Sequence, residues 1–313
     1  MSPIEPNSRV LDGLARPIDF GAGYGEGLKL GLSLGGGGIF FVAWQVAYLH
    51  ELALQGVHLR DAQRVVGTSA GSVVASILEA GHLNRFQREL GFFARTPALV
   101  SLLAPAGDFS ASQQHAVDLF TAAHESSPET IRAIGHAALA ASAPSANKMA
   151  RSVSLMLLSQ RWPSAALNIT CVDTHTGERC VVDSNAGVPI NRAVAASSAV
   201  PGVFAPQPIG DRRCMDGGVS GTGTHLDLFG GAQRVVVLSL VDGTAEVGGM
   251  TSKPGAFVEE VAALEATGTK VFARNPESVD LTRLMDPASV PQAIAMGGRQ
   301  AKADAQDIRE FLS

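Results

Sequence analysis

Short apolar runs alternate along the chain with longer stretches in which apolar residues recur at helical spacing. The run LKLGLSL over 28–34 is typical of a buried parallel strand, and the apolar spacing from Ile39 to Leu54 predicts a helix. The same order recurs in a short apolar run over 64–66, a glycine-bounded turn and a helical pattern that ends near Gly81. The sequence therefore predicts two consecutive strand–turn–helix units.

The rest of the chain continues this alternation. Residues 82–165 predict several helices and little strand, and a further helix is predicted over 189–198. Further strands are predicted over 166–172, 178–183 and 234–241. From Pro254 onward the pattern predicts mostly helix. This order predicts an α/β fold with a mainly parallel sheet, preceded by an N-terminal arm at 1–26 that shows no periodicity.

Composition narrows the class of protein without changing this outline. Of the 313 residues, 46% are apolar and only 17% are charged, which is typical of a globular chain with a large interior. A formal net charge of −5 argues against nucleic acid as a partner. Neither a signal peptide nor a membrane span is evident, so we expect a cytoplasmic protein whose contact with membranes, if any, is peripheral.

The chain has three cysteines, Cys171, Cys180 and Cys214, and they show no C-x-x-C spacing. This number and spacing are typical of a reducing compartment, and we interpret all three as small buried apolar residues. The eight histidines show no metal-binding spacing either. The sequence predicts neither a metal site nor a cofactor.

GTSAG, from Gly67 to Gly71, is a G-x-S-x-G motif between a predicted strand and a predicted helix. In that context a tight turn exposes the hydroxyl of Ser69, and the flanking glycines keep other side chains away from it. The N-terminus of the following helix favours developing negative charge. We interpret Ser69 as a nucleophile; the alternative is a serine that only caps the helix.

Four glycines, Gly35 to Gly38, follow the first predicted strand. Neither the lysine of a P-loop nor the glycine spacing of a dinucleotide-binding loop is present. The remaining explanation is an oxyanion hole, in which each backbone N–H donor contributes about 3 kcal/mol. Tight packing of a strand-to-helix turn accounts for one or two glycines, but not for four.

A serine nucleophile requires a base, and the sequence offers two candidates. Asp216 precedes Gly217 and Gly218, and the sharp turn that these glycines allow would direct its carboxylate. His225 lies nine residues further on and would instead complete a triad in the order serine, acid, histidine that α/β-hydrolases use. Residue types alone leave both candidates open.

Four motifs, LSLGGGG, GTSAGS, AASSAVPGVFAP and MDGGVSG, together resemble the patatin-like phospholipase family over roughly residues 28–241. The resemblance implies a three-layer α/β/α fold, with one catalytic domain over 27–313 and a helical insert at about 82–165. It also implies a serine lipid acyl hydrolase of phospholipase A or lysophospholipase type. Such an enzyme works through a Ser–Asp dyad without histidine.

At the matching positions, the resemblance implies Ser69 as the nucleophile and Asp216 as the base. The oxyanion loop of the family matches Gly36, Gly37 and Gly38. The glycines that support the two motifs are Gly67, Gly71, Gly217 and Gly218. Attack of Ser69 on an ester carbonyl would give an acyl-enzyme that water hydrolyses. Desolvation would strengthen the carboxylate as a base, so we expect Asp216 to be largely buried.

Two departures from the family pattern are visible. Phe40 and Phe41 occupy the positions where the family usually has an arginine or lysine followed by glycine, and VSGTGTH stands where an Asn-Pro pair often follows DGG. Because the missing cation usually braces the glycine loop, a catalytically weakened protein is an alternative reading. We favour an active enzyme because Ser69, Asp216 and the glycines are retained together.

The stretch between Glu129 and Asp173 contains no acidic residue. Its cations are Arg132, Lys148, Arg151 and Arg161. We interpret the stretch as a helical layer packed on the core. The alternative is a cap that receives an anionic lipid head group or a membrane surface. Its segment VSLMLL, 153–158, is a candidate lining for an acyl channel, with a buried helix as the default.

Three functional hypotheses result. The first is a lipid acyl hydrolase with a Ser–Asp dyad, and the second is an α/β-hydrolase triad that includes His225. The third is a non-catalytic protein of the same fold that binds lipid or a protein partner. Reaction of Ser69 with a fluorophosphonate separates the third hypothesis from the others, and replacement of His225 separates the first two.

Overall fold

An eight-stranded sheet forms the centre of the structure. The computed structural model describes residues 14–95, 109–241 and 252–313. The strands are β1 (Leu30–Leu34), β2 (Arg64–Gly67), β3 (Leu167–Asp173), β4 (Arg179–Val182), β5 (Gln207–Ile209), β6 (Arg212–Asp216), β7 (Arg234–Leu238) and β8 (Lys270–Arg274). The α-helices are α1 (Gly38–Leu54), α2 (Ala70–Glu79), α3 (Leu83–Arg95), α4 (Ala111–Ala122), α5 (Pro128–Ala140), α6 (Ala146–Leu157), α7 (Ile190–Ser197), α8 (Ala256–Ala266) and α9 (Val290–Leu312).

The sheet is parallel through its centre and antiparallel at one end. The strand order is β5-β6-β3-β2-β1-β7-β8, and β4 also pairs with β3. Strands β1, β2, β3, β7 and β8 pair in parallel, whereas β4 and β6 run antiparallel to β3, and β5 runs antiparallel to β6. The mainly parallel sheet predicted from the sequence is confirmed.

Alternate residues of β7 pack on opposite faces of the sheet. Val236 and Leu238 belong to the large apolar cluster that contains residues of α1, α2 and α9. Val235 and Val237 pack with Leu264 of α8 in a second cluster. Because successive side chains of a strand point to opposite faces, helices cover the sheet on both sides. The three-layer α/β/α arrangement is confirmed.

Helix α1 packs lengthwise on α9 through aromatic side chains with polar tips. The rings of Phe41, Trp44 and Tyr48 stack in sequence, with centroids 5.4 and 5.0 Å apart. The indole N–H of Trp44 donates to Gln300, and the hydroxyl of Tyr48 donates to Asp304, each at 2.8 Å. Buried tyrosine and tryptophan need such partners for their polar atoms. These contacts fix the helix that follows the glycine loop.

The predicted elements that precede Pro254 are present to within three residues, and the mostly helical prediction beyond it is confirmed except for one strand that it missed. Lys270–Arg274 forms strand β8, where the sequence predicts mostly helix. This strand has five residues and lies at the edge of the sheet, so its pairing with β7 determines it, and so short a run has no clear period. Between 82 and 165 the described residues form helices α3 to α6, as predicted, and 96–108 lie outside the described residues.

Much of the predicted N-terminal arm, residues 1–13, also lies outside the described residues. The remainder docks on β4, where Ala15 pairs with Cys180 in an isolated antiparallel bridge. Arg179 of β4 donates to the carbonyl oxygen of Arg16 and forms a buried bidentate ion pair with Asp227, at 2.6 and 2.7 Å. Within the described residues, no helix has both the length and the apolar content needed to cross a bilayer.

The close approach of α2 to β1 requires a glycine at position 71. A Cβ atom on Gly71 would lie 1.8 Å from the carbonyl oxygen of Leu34 and 2.8 Å from that of Gly35. Backbone atoms cannot yield to such an overlap as a flexible side chain can. The glycine therefore places the N-terminus of α2 directly against the carboxyl end of β1, where the glycine loop begins.

We expect Gly71→Ala to destabilise the fold by on the order of 3 kcal/mol or more, because the backbone of Leu34 must move. Gly298→Ala in α9 is the matched control, since a Cβ there meets no atom within 4 Å. Alanine is the better helix former, so this control is expected to gain up to about 1 kcal/mol. Urea unfolding measures both changes. Equal stability of the two variants would contradict the close approach.

Candidate active site

Ser69 lies at the turn between β2 and α2 in a backbone conformation that side chains rarely adopt. Its φ is 50° and its ψ is −119°. Holding a residue other than glycine in such a region costs about 1–3 kcal/mol, so the surrounding structure must compensate. The turn of a nucleophile elbow has this strained geometry, which projects the serine hydroxyl away from the backbone.

Three serine hydroxyls hold the Ser69 backbone in place. The N–H of Ser69 donates to Oγ of Ser197 at 2.9 Å. Its carbonyl oxygen accepts from Ser72 at 2.6 Å and from Ser198 at 3.3 Å. The carbonyl oxygen also accepts the backbone N–H of Ser72 at 2.9 Å, so serine side chains reinforce the first turn of α2 at this strained residue.

The last residue of α7 and the two residues that follow it contact both predicted catalytic residues. Ser197 and Ser198 hold Ser69, and the carbonyl oxygen of Ala199 accepts the N–H of Asp216 at 3.0 Å. In the sequence these residues are visible only as part of the motif AASSAVPGVFAP. That they brace both catalytic candidates was not predicted, because the hydrogen bonds join distant segments. Ser197 and Ser69, for example, are 128 residues apart.

Asp216 ends strand β6, and its side chain is buried, as the sequence analysis predicts. One carboxylate oxygen accepts the N–H of Gly218 at 2.9 Å, and both Asp216 and Ser69 line the same cavity. Burial raises the pKa of Asp216 from 3.8 to about 6, against the opposing effect of the Gly218 N–H and the Ser69 hydroxyl. The structure thus brings Ser69 and Asp216 together.

The glycine loop passes directly beside Ser69. A Cβ atom on Gly36 would lie 3.2 Å from Cβ and 3.9 Å from Oγ of Ser69. The N–H of Gly35 is used by the carbonyl oxygen of Leu238, but those of Gly36 and Gly37 have no acceptor among the described residues. The loop thus keeps two N–H groups, one of them on the glycine beside Ser69, available to a ligand oxygen.

Neutral contacts brace the loop where the family pattern has a cation. Phe40 is buried, and its N–H donates to the carbonyl oxygen of Leu284 at 3.1 Å. Gly38 has a φ of 66°, and a Cβ there would lie 2.6 Å from the same oxygen. On the other side, the amide of Gln45 donates to the carbonyl oxygen of Gly35 at 2.9 Å. The loop is therefore held without an arginine or lysine.

A cavity of about 330 Å³ opens at Ser69, Asp216 and the glycine loop. Its apolar lining includes Phe120, Val200, Leu240, Phe257, Leu281 and Leu284. Met285 also lines the cavity and is 62% exposed, so an apolar side chain stands at the rim. Binding sites for small apolar groups have this form, concave and apolar with a few convergent polar groups.

Glu260 also lines the cavity, and the sequence analysis did not identify it. One of its carboxylate oxygens accepts the hydroxyl of Thr224 at 2.6 Å, and burial raises its pKa. Thr224 in turn accepts the hydroxyl of Ser33 on its carbonyl oxygen at 2.6 Å. These bonds tie the chain after Asp216 to β1. No motif surrounds Glu260, so the sequence carried no signal for its position.

His225, the second candidate base, does not line the cavity. It is fully buried, and its Nδ1 lies 3.4 Å from a guanidinium nitrogen of Arg179, beside the ion pair with Asp227. Burial and the nearby charge of Arg179 lower its pKa well below the ordinary value. This position favours Asp216 over His225 as the partner of Ser69.

The segment 153–158 does not line the cavity either. Val153 and Leu157 are buried in the core, while Leu155 and Leu158 are 70% and 64% exposed. The default interpretation of a helix with one buried face therefore describes it better than an acyl channel.

Comparison with known proteins identifies the family to which the chain belongs. Residues 32–226 match the profile of the patatin-like phospholipases. The chain is also similar to VipD from Legionella pneumophila, with 12% identity and a TM-score of 0.41 over 89% of this chain and 66% of that one. It is similar as well to the type III effector protein ExoU, with 17% identity and a TM-score of 0.29 over 93% of this chain and 56% of that one. The chain thus spans less than two thirds of the length of either protein.

A comparison with curated proteins gives no significant match. The profile match covers more than half of the 313 residues and includes the glycine loop, Ser69 and Asp216. The chain belongs to the patatin-like phospholipase family.

Proposed function

We propose that this protein is a lipid acyl hydrolase of phospholipase A or lysophospholipase type, with Ser69 as nucleophile and Asp216 as base. The observation that carries the proposal is that the strained serine and a buried carboxyl group line the same apolar cavity, where the serine hydroxyl acts on the pKa of the carboxyl group. Membership of the patatin-like phospholipases supports the reaction class.

In the proposed reaction, Asp216 accepts the hydroxyl proton of Ser69 while Oγ attacks the ester carbonyl carbon. The negative charge on the carbonyl oxygen is stabilised by the free N–H groups of Gly36 and Gly37. When the C–O bond breaks, the leaving alcohol takes the proton from Asp216 and the acyl group stays on Ser69. Water then loses a proton to Asp216, attacks the acyl group, and releases the fatty acid with return of the proton to Ser69.

Burial makes a carboxylate a useful base in this position. A carboxylate of ordinary pKa is a weak base toward a hydroxyl group, and general base catalysis improves as the pKa approaches the working pH. Burial brings the pKa of Asp216 to about 6, so the group is still ionised at neutral pH but holds a proton more readily.

The cavity supports an apolar acyl group as the substrate part that enters the site. Its lining is mostly apolar, and Met285 extends this surface to the exposed rim. We propose that peripheral contact with lipid occurs at this rim rather than at the basic stretch between Glu129 and Asp173, whose exposed Leu155 is not part of the cavity.

The second candidate function is a catalytically weakened protein that binds lipid or a partner. Phe40 at the position of the family cation is the observation that favours it. The backbone contact of Phe40 with Leu284 argues against it, because the loop is braced by other means.

Labelling with a fluorophosphonate probe tests the nucleophile. We expect the native chain to be labelled once, Ser69→Ala to remain unlabelled, and Asp216→Asn to react about 10²–10⁴-fold more slowly because the general base is lost. Ser152→Ala, an exposed serine on α6, is the matched control and should react normally. If the native chain does not react, or if labelling persists in Ser69→Ala, the proposal of an enzyme with Ser69 as its nucleophile is contradicted.

The pH dependence of labelling tests the base. The rate should fall as pH decreases through about 6, since protonated Asp216 cannot accept the serine proton. Above that pH the rate should reach a plateau, and Asp216→Asn should show no such step. A native profile that stays flat between pH 5 and 8 is the outcome that this assignment excludes.

The same pKa predicts a stability cost. A carboxyl pKa raised from 3.8 to about 6 means that the folded state holds the proton more tightly than the unfolded state does. Its contribution to stability is therefore complete below pH 4 and falls as pH rises through 6, by roughly 3 kcal/mol in all. Asp216→Asn should be more stable than the native chain at pH 8, with a smaller difference at pH 4. Urea unfolding at both pH values measures this, and a variant less stable at pH 8 would contradict it.

A further inference from the structure

Three thiols from separate strands meet inside the structure. The Sγ atoms of Cys171, Cys180 and Cys214 lie within 4.8 Å of one another, and all three residues are fully buried. They are the only cysteines of the chain. The sequence alone predicts small buried apolar residues at these positions, which show no metal-binding spacing.

The register of the sheet explains the cluster. Cys171 of β3 is directly opposite Cys180 of β4, and Cys214 of β6 is directly opposite Asp173, two residues further along β3. Residues that face each other across strands, and residues two apart on one strand, project to the same face. All three thiols therefore point to one side of the sheet.

We propose that Cys171, Cys180 and Cys214 form a three-coordinate binding site for a soft monovalent metal ion, Cu(I). Uptake of the ion forms Cu–S bonds, releases thiol protons to solvent, and changes no oxidation state. The proposal does not depend on the hydrolase function.

The separation of the sulfur atoms fits a single ion. Three thiolates at about 2.3 Å from one metal, in a trigonal plane, lie about 4 Å from each other. The observed limit of 4.8 Å leaves only small side-chain movements to reach that geometry. A bond to each sulfur is thus possible without a change of strand pairing.

The composition of the site selects the ion. Thiolate ligands favour soft ions such as Cu(I), and they also bind Zn(II). Structural zinc requires four ligands, but no histidine or carboxylate of the described residues joins the three thiols. Since the cysteines are fully buried, solvent does not provide the fourth ligand. An ion that accepts three ligands fits the site, and tetrahedral zinc does not.

A buried positive charge lies near the three thiols. Arg212 of β6 is buried and precedes Cys214 by two residues. Its guanidinium pairs with Asp173 at 3.0 Å and Glu178 at 2.9 Å. A nearby cation helps to offset the negative charge of thiolate ligands in an apolar interior.

The site is joined to the proposed catalytic residue through β6. Asp216 follows Cys214 by two residues and is directly opposite Cys171 in the pairing of β3 with β6. An ion bound to β3, β4 and β6 links the three strands at the point from which Asp216 emerges. Because the folded chain holds the three sulfur atoms together, it should bind the ion more tightly than the unfolded chain does, and the ion should raise the thermal midpoint of unfolding.

Competition with a chromogenic Cu(I) chelator, on the reduced 313-residue chain without oxygen, tests the proposal. We expect one Cu(I) per chain, X-ray absorption that shows three sulfur ligands at about 2.3 Å, and a higher unfolding midpoint. Cys171→Ala, Cys180→Ala and Cys214→Ala should each weaken retention at least tenfold. Met156→Leu, which removes a partly exposed sulfur elsewhere, and Ser69→Ala should both retain the ion.

Three results would overturn the site. The first is that the native chain fails to take Cu(I) from the chelator. The second is that a variant lacking one of the three cysteines retains Cu(I) as firmly as the native chain. The third is an X-ray absorption spectrum that shows fewer than three sulfur ligands. Retention of Zn(II) as firmly as Cu(I) would overturn the choice of ion. If an alanine variant does not fold, the sulfur count on the native chain still decides. Retention by Ser69→Ala separates this outcome from that of the hydrolase proposal.

Discussion

The site depends on one strained residue that the rest of the fold holds in place. Ser69 has a positive φ, and its N–H and carbonyl oxygen are bonded by serine side chains. Gly71 lets the following helix approach the end of β1, and Gly36 lets the glycine loop pass beside the serine. A larger side chain at position 71 would force the backbone of Leu34 to move, and one at position 36 would crowd Ser69.

The second constraint is the burial of Asp216, where stability and chemistry oppose each other. Removing a carboxylate from water raises its pKa and costs folding free energy at neutral pH. The same removal makes the group a better base for a serine hydroxyl. The hydrogen bond from Gly218 and the nearby hydroxyl of Ser69 lower the pKa in turn and offset part of the cost, so the carboxylate remains ionised near neutral pH. Functional sites commonly carry such a cost.

Much of the fold was predictable from the sequence because its periodicity is local. Strand–glycine–helix units around Gly35–Gly38 and Gly67–Gly71 are visible in the chain, and their motifs identify the serine, the aspartate and the family. Strand β8 was not predictable, since a five-residue edge strand is determined by its partner β7. The brace formed by Ser197 and Ser198 and the meeting of three cysteines also escaped prediction. Both result from contacts between distant segments, which a single sequence without an alignment does not encode in any local pattern.

Mass spectrometry of the chain during turnover of a slowly hydrolysed acyl ester tests the central claim most directly. If Ser69 and Asp216 act together, peptide mapping will find one acyl group on Ser69 in the native chain. The adduct should be lost in Ser69→Ala and should form far more slowly in Asp216→Asn. Turnover with the acyl group on another residue, or an adduct on Ser69 that forms equally fast without the carboxylate, would contradict the account.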